Sequence, residues 1–240
     1  MVRSTPAKAT LGLTAGLMIV AALAWPHLAA SRVLEDPSAK VRKLQQLDMV
    51  LTQDVLRVSQ GLLRHYDTLD ETNRAIERLS GELARSLENV QKAAELRRTI
   101  ETYRVLHAER ADQIERFKSA LARLRNSAQH FPRVVSAFFS ERLSEGHASD
   151  ELAVELKSLL TNVLVQQIAY DTRRSTELKR RIRALSAQAY SRRKLIDPEL
   201  LVVARHADII VSERTRVEDL VTKLASRQGA DMLRRWLIGH

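Results

Sequence analysis

The chain has 240 residues, with 7 glycines, 5 prolines and no cysteine, and 45% of its residues are hydrophobic but only 4% aromatic. This composition favours long helices, and the lack of cysteine excludes disulfides and thiolate chemistry. The net charge of +10 would suit an anionic partner, but 29 acidic residues are interleaved with the basic ones and aromatic stacking platforms are lacking, so we expect no nucleic-acid binding.

The N-terminal segment is the most apolar part of the chain. Asp, Glu, Lys and Arg are absent from residues 9–30, and about 22 helical residues span ~33 Å, enough to cross a bilayer core. A cleaved signal peptide ending near Ala22-Leu23-Ala24 is the alternative. We expect a bacterial inner-membrane protein with a cytoplasmic N-terminus (1–8), a single transmembrane anchor (9–30) and its bulk (36–237) in the periplasm.

Apolar residues then recur at spacings of three and four, which predicts amphipathic helices that pack side by side. Asp36-Pro37 begins the first helix, whose apolar stripe runs from Leu44 to Leu62 and encloses Gly61. A second helix is predicted over about 70–87 and a long third one over about 88–129. Pro132 is expected to end the third helix, because proline lacks the amide N–H that a helix interior requires.

The second half of the chain shows the same helical periodicity. The pattern predicts a short helix around 134–139, a long one over about 151–193, one opened by Asp197-Pro198, and a last one over 217–237. Period-two alternation typical of strands is not sustained anywhere. The predicted fold class is all-α: an N-terminal transmembrane helix followed by an elongated antiparallel array of long helices, arranged as two stacked helical bundles.

Motifs for catalysis and metal binding are absent from the sequence. The histidines are never three or four residues apart, the spacing that places two ligands on one face of a helix. Glycine-rich phosphate loops and nucleophile motifs are also missing. We therefore expect no catalytic residue, no metal and no cofactor in this chain.

Three polar residues interrupt otherwise apolar helix stripes, namely His107, Arg110 and Asp171. Such residues can fix the register and the choice of partner helix at some cost in stability. Alternatively, they can line a small polar pocket between helices in which a ligand is recognised. Periodicity alone leaves both interpretations open.

Several short strings carry a more specific signal. Asp54-Val55-Leu56 is followed by Tyr66-Asp67-Thr68-Leu69, and Phe117-Lys118-Ser119 is followed by Leu124-Arg125-Asn126-Ser127 and Phe131-Pro132. A third string is Ala204-Arg205-His206-Ala207-Asp208. Over roughly residues 36–224 the chain resembles the double all-helical ligand-binding (DAHL) domain, the extracytoplasmic sensor region of VirA-like histidine kinases and related receptors.

The resemblance implies a sensor that detects a small ligand or a ligand-loaded periplasmic binding protein and relays the signal by helix motion. It further implies a membrane-attached homodimer with a histidine kinase module, located downstream or in a partner. Of the family-motif residues, Asn126 is expected to form a structural hydrogen bond to a neighbouring helix. An anchored periplasmic scaffold or adaptor without a small ligand is the alternative. The residues implied as structural or ligand-binding are Tyr66, Asp67, Phe117, Lys118, Arg125, Asn126, Ser127 and His206.

Overall fold

The computed structural model describes residues 36–63, 65–88, 90, 93–144, 150–191, 197–226 and 228–239. These residues are helical with short connections and contain no strand, which confirms the all-α prediction. The predicted anchor, 9–30, lies outside the described residues, and within them no helix has both the length and the apolarity to cross a bilayer. The helices are α1 (Pro37–Ser59), α2 (Asp67–Leu87), α3 (Ala94–Ser144), α4 (Asp150–Ile168), α5 (Thr172–Ser191), α6 (Pro198–Leu224) and α7 (Gln228–Gly239).

Helix α1 begins as predicted and ends earlier than predicted. The Asp36 side chain accepts a hydrogen bond from the backbone N–H of Ser38, and Pro37 occupies the first turn, where its missing N–H costs nothing. Gly61, expected within the stripe, lies beyond the helix at φ +77°, a conformation that glycine adopts without strain. Leu62 is consequently 70% exposed, so including it in the buried stripe was wrong.

Helix α3 contradicts the prediction that Pro132 ends a helix. It begins at Ala94 and continues for 51 residues, with Pro132 inside it. Pro132 is exposed, whereas Phe131 and Val135 on the opposite side are 0% and 2% exposed. Burial of this continuous apolar face on both sides of the proline offsets the lost hydrogen bond, so packing outweighs local propensity.

The helix predicted over 151–193 is two helices, α4 and α5, separated by residues 169–171. The Asp171 carboxylate accepts a hydrogen bond of 2.7 Å from the backbone N–H of Arg174 and so caps α5. The Gln166 side chain bonds both the carbonyl and the N–H of Asp171, which secures the turn. The polar residues of this region therefore form a turn between two helices and do not lie within one long helix.

The C-terminal boundaries also differ from the prediction of one helix over 217–237. Helix α6 begins at the predicted Asp197-Pro198 and extends to Leu224, and α7 follows after a short connection. The Asp197 carboxylate accepts from the Leu200 N–H, as an N-cap should. The buried face of α6 uses Val203, Ala207 and Ile210, whereas Asp208 is exposed.

Helices α3 and α6 form the most extensive helix pair, and the remaining helices pack around them. The N-terminal helices α1 and α2 pack on each other, α2 also packs on α3 and α1 on α6, while α7 lies against α1 and α3. Helices α4 and α5 pack on α6, and α4 also contacts α3. A hydrogen bond from Gln45 Nε2 to the Ala230 carbonyl, 3.4 Å long, ties α7 to α1.

Candidate ligand-binding site

A buried ionic network connects α1, α3 and the C-terminal end of α6. Asp48 lies on the buried stripe of α1 and is 4% exposed. Nη1 of Arg110 on α3 donates to Asp48 Oδ1 at 2.7 Å. Its Nη2 donates to Thr52 Oγ1 at 2.6 Å and to the Leu224 carbonyl, at the C-terminal end of α6, at 2.8 Å. One guanidinium therefore links α1, α3 and α6.

Tyr103 and His107, one turn apart on α3, extend this network. The Tyr103 hydroxyl donates to Asp48 Oδ1 at 3.4 Å. The rings of Tyr103 and His107 lie nearly parallel, 8° between planes, with centroids 6.1 Å apart. Burial and the neighbouring negative charge of Asp48 raise the pKa of Tyr103, so its hydroxyl remains a neutral donor.

His107 is the exceptional member of the group, because the residue is 5% exposed and, among the residues that the structure describes, neither ring nitrogen has a hydrogen-bond partner. Burial lowers the pKa of His107, since the charged ring would lose its hydration. Glu77 and the backbone of Asn73 act in the opposite direction, although the Asn73 contact does not reach hydrogen-bond geometry. Buried polar atoms are normally paired, so a neutral imidazole with a free donor and a free acceptor points to a missing partner.

A half-open cavity of about 300 Å³ adjoins these residues. Its far wall is the start of α7, where Gly229 allows a close approach: a Cβ there would lie 3.1 and 3.3 Å from ring carbons of Tyr103. A smaller cavity of about 170 Å³, between α2 and α3, touches His107 from another side. The lining of the larger cavity is Asp48, Tyr103, Leu106, His107, Glu109, Arg110, Gln113, Lys223, Ser226, Gln228 and Gly229.

Two of the three polar residues that interrupt the apolar stripes thus lie at one cavity, and the third does not. His107 and Arg110 line it together, whereas Asp171 is an exposed helix cap. Sequence reasoning missed Asp48, although an acidic residue between Leu44 and Leu51 on an apolar stripe was a readable signal. The lining from α7 could not be found in this way, because no sequence pattern placed α7 beside α3.

The family-motif residues form a second cluster, at the corner between α1 and α2. Arg125 Nη2 donates to the carbonyls of Val58 and Leu63 at 3.1 and 3.4 Å, and its guanidinium lies 5.8 Å from the Tyr66 ring. Lys118 Nζ donates to Asp70 Oδ1 at 2.8 Å and lies 6.0 Å from the same ring. Desolvation lowers the pKa of Lys118, but hydrogen bonds to Asp70 and Glu115 outweigh it and the net shift is upward. This cluster fixes the corner on α3.

The other motif residues form none of the contacts described for the two clusters. Phe117 and Ser127 are buried on α3, and Asp67 is an exposed residue in the first turn of α2. Asn126 is exposed, and among the residues described it forms no hydrogen bond to another helix. His206 on α6 is half-buried, and burial together with two neighbouring basic residues, His130 and Arg205, lowers its pKa.

The chain matches a protein-family model. No curated protein and no solved structure matches the chain. The family model of the DAHL domain matches residues 38–235, which is most of the chain, and this confirms the resemblance found in the sequence. The chain therefore belongs to the DAHL-domain family, the helical sensor domains of signal-transduction receptors.

Proposed function

We propose that the chain is the periplasmic input domain of a two-component-type receptor, anchored in a bacterial inner membrane by residues 9–30. It detects a small ligand, free or carried by a periplasmic binding protein, and passes the signal to a histidine kinase module. In this proposal the chain has no catalytic step, metal or cofactor of its own and binds no nucleic acid. The observation that carries the proposal is the cavity bordered by the unpaired His107 and the Asp48–Arg110 link.

The position of the cavity supports signalling by helix motion. Its lining comes from α1, α3, α7 and the end of α6, and Arg110 already bonds to α1 and α6. Helix α1 follows the predicted anchor in the chain, and α7 lies against α1. A ligand that favours one packing of these helices would shift their equilibrium by its difference in affinity.

Topology is tested with two fusions after residue 240 in a Gram-negative host. Alkaline phosphatase, which folds only in the periplasm, should be active there, and green fluorescent protein exported unfolded should be dark. The cleaved-leader alternative is separated by fractionation, since an anchored chain sediments with membranes and a cleaved one does not. An inactive phosphatase fusion together with a fluorescent green fluorescent protein fusion would refute the proposal that the bulk of the chain lies in the periplasm.

Ligand detection is tested by thermal-shift screening of the full chain in detergent micelles with sugars, amino acids and organic acids. A true ligand should raise the melting temperature, since binding to the native state stabilises it. Ser226→Trp should remove the effect, because it places an indole at the cavity, while Ser136→Trp, an exposed site on α3 away from the cavity, should not. A hit that changes autophosphorylation of a kinase chimera would establish sensing.

An adaptor without a small ligand is the second candidate, and exposed apolar side chains favour it. Ile168, Leu62 and Val154 are 87%, 70% and 67% exposed and are available to contact a partner protein. For this function, screening would yield no stabilising compound, and cross-linking in cells would recover one stable partner protein. The same cross-linking tests the homodimer that we propose for the receptor, through a product of twice the chain's mass.

A further inference from the structure

We infer that the cavity beside His107 accepts a small zwitterion, such as an α-amino acid with a short neutral side chain. The inference rests on the proposed sensing function and specifies the ligand for the same site. It follows from three features of the lining: its balance of charges, the chemistry of its inner wall, and its size.

The charges around the cavity are balanced. Inside, Asp48 and Arg110 already neutralise each other at 2.7 Å. Glu109 on α3 and Lys223 at the end of α6 also line the cavity, are exposed, and form no ion pair within the described part of the chain. A simple anion would meet the carboxylate of Glu109, and a simple cation would meet the ammonium of Lys223. A ligand that carries both charges can pair with both residues.

The inner wall has matching chemistry. Because burial keeps His107 neutral, its ring offers one N–H donor and one nitrogen acceptor, and neither has a hydrogen-bond partner among the described residues. A zwitterion can bond to the ring nitrogen nearest to it through either charged group, since its carboxylate can accept from the N–H and its ammonium can donate to the acceptor. Gln113 and Gln228 add further neutral donors and acceptors to the lining.

The size of the cavity limits the ligand. About 300 Å³ corresponds to roughly ten water molecules at ~30 Å³ each. Glycine, alanine and proline fit this space, whereas a disaccharide or a long peptide does not. The cavity is half-open, which leaves a route for entry of the ligand.

The test is calorimetric titration of the full chain in detergent micelles with glycine, L-alanine and L-proline. Propionate and propylamine serve as matched probes that each keep one charge of alanine, and glucose and succinate represent the other ligand classes. We expect at least one zwitterion to bind about tenfold or more tightly than either single-charge probe, since each such probe forfeits one charge-assisted contact.

Variants then locate the contacts. Lys223→Met and Glu109→Gln should each weaken zwitterion binding about tenfold, while the exposed pair Lys157→Met and Glu151→Gln on α4 should leave it unchanged. Ser226→Trp should abolish it. Binding that survives Ser226→Trp would place the ligand elsewhere and overturn the inference.

The outcomes separate this inference from the proposed function. If glucose or succinate binds, zwitterions do not, and Ser226→Trp removes the binding, then the cavity is a sensor site for another ligand class and only the zwitterion inference fails. If none of the seven compounds binds, the zwitterion inference also fails. The sensing function itself fails only when the broader screen yields no ligand and the kinase chimera does not respond.

Discussion

Two arginines on α3 each stabilise a junction between helices, and both do so by spreading their donors over several acceptors. Arg110 reaches a carboxylate, a hydroxyl and a carbonyl on two other helices. Arg125 reaches two carbonyls and an aromatic face at the corner between α1 and α2. A guanidinium has five N–H donors in a fixed plane, so a lysine could not replace either residue without losing contacts.

Arg125→Ala should destabilise the protein by about 2–3 kcal/mol, because it leaves the partly buried carbonyls of Val58 and Leu63 without their donor. Arg125→Lys should recover less than half of this loss. Urea unfolding of the full chain in detergent measures the change. Arg116→Ala is the control. Within the described part of the chain Arg116 pairs with Asp112 alone, on the exposed side of α3, so this substitution should cost under ~0.5 kcal/mol. Equal effects of the two alanine variants would contradict a role for Arg125 at the corner.

Stability should fall with acidification in a way that depends on His107. Its pKa in the folded protein lies below the ordinary value of about 6.5, so between these two values the unfolded chain binds a proton that the folded chain does not. The contribution of His107 is therefore present above about pH 6.5 and is lost as the pH falls toward its folded pKa. Around it stand Asp48 on α1, Glu77 on α2, and Arg110 on α3.

The measurement compares the wild type with His107→Gln, whose amide does not titrate, in urea at pH 7.5 and pH 5.5. The wild type should lose about 1 kcal/mol more than the variant over this interval, within the limit of ~1.4 kcal/mol per pH unit for one proton. Because the two proteins differ only at position 107, the difference between their pH profiles reports on that side chain. Parallel pH profiles would show that His107 is not held neutral.

At the scale of the helices, apolar periodicity predicted where helices exist better than where they stop. The stripes of α1, α2 and α3 were predictable because burial of one face selects residues every three or four positions. The prediction that Pro132 ends a helix was wrong because burial of Phe131 and Val135 outweighed the tendency of proline to interrupt a helix. The break at 169–171 was missed because its signal, a capping aspartate three residues beyond an exposed Ile168, resembles a polar residue within a stripe.

Pro132→Ala should stabilise the protein by about 1–3 kcal/mol, because alanine restores the hydrogen bond to the Ala128 carbonyl and removes the ring clash. The exposed position means that little packing is lost. Thermal unfolding followed by circular dichroism measures the change. The matched reverse substitution is Ala122→Pro, also exposed and interior to α3, which should cost ~3 kcal/mol or more. A proline required for bending α3 around the core would instead make Pro132→Ala destabilising.

At the scale of the whole molecule, α3 and α6 hold the N-terminal and C-terminal helices in one structure. The bidentate pair between Arg123 on α3 and Glu213 on α6, at 2.7 and 3.1 Å, joins them near the corner that Arg125 fixes. Because the candidate site depends on how helices distant in the chain pack together, it could be predicted only in part from the sequence. His107 and Arg110 stand out on their own helix, but the cavity exists only because α6 ends beside them and α7 closes its far wall.

Closure by α7 depends on one glycine, and its substitution is the sharpest test of this arrangement. Gly229→Ala would place a Cβ 3.1 Å from the Tyr103 ring, which is 1% exposed and bonded to Asp48, so the ring has little room to move. We expect a loss of about 1–3 kcal/mol, as in overpacked cores, despite the better helix propensity of alanine.

Gly81→Ala on α2 is the matched control, since a Cβ there meets nothing within 4 Å. It should stabilise the protein by about 0.5–1 kcal/mol, the propensity gain alone. Urea unfolding should therefore show that the same substitution, glycine to alanine, lowers the free energy of unfolding at position 229 and raises it at position 81. If Gly229→Ala were stabilising by a similar amount, α7 would not lie against Tyr103, and the far wall of the cavity would have to be formed by something else.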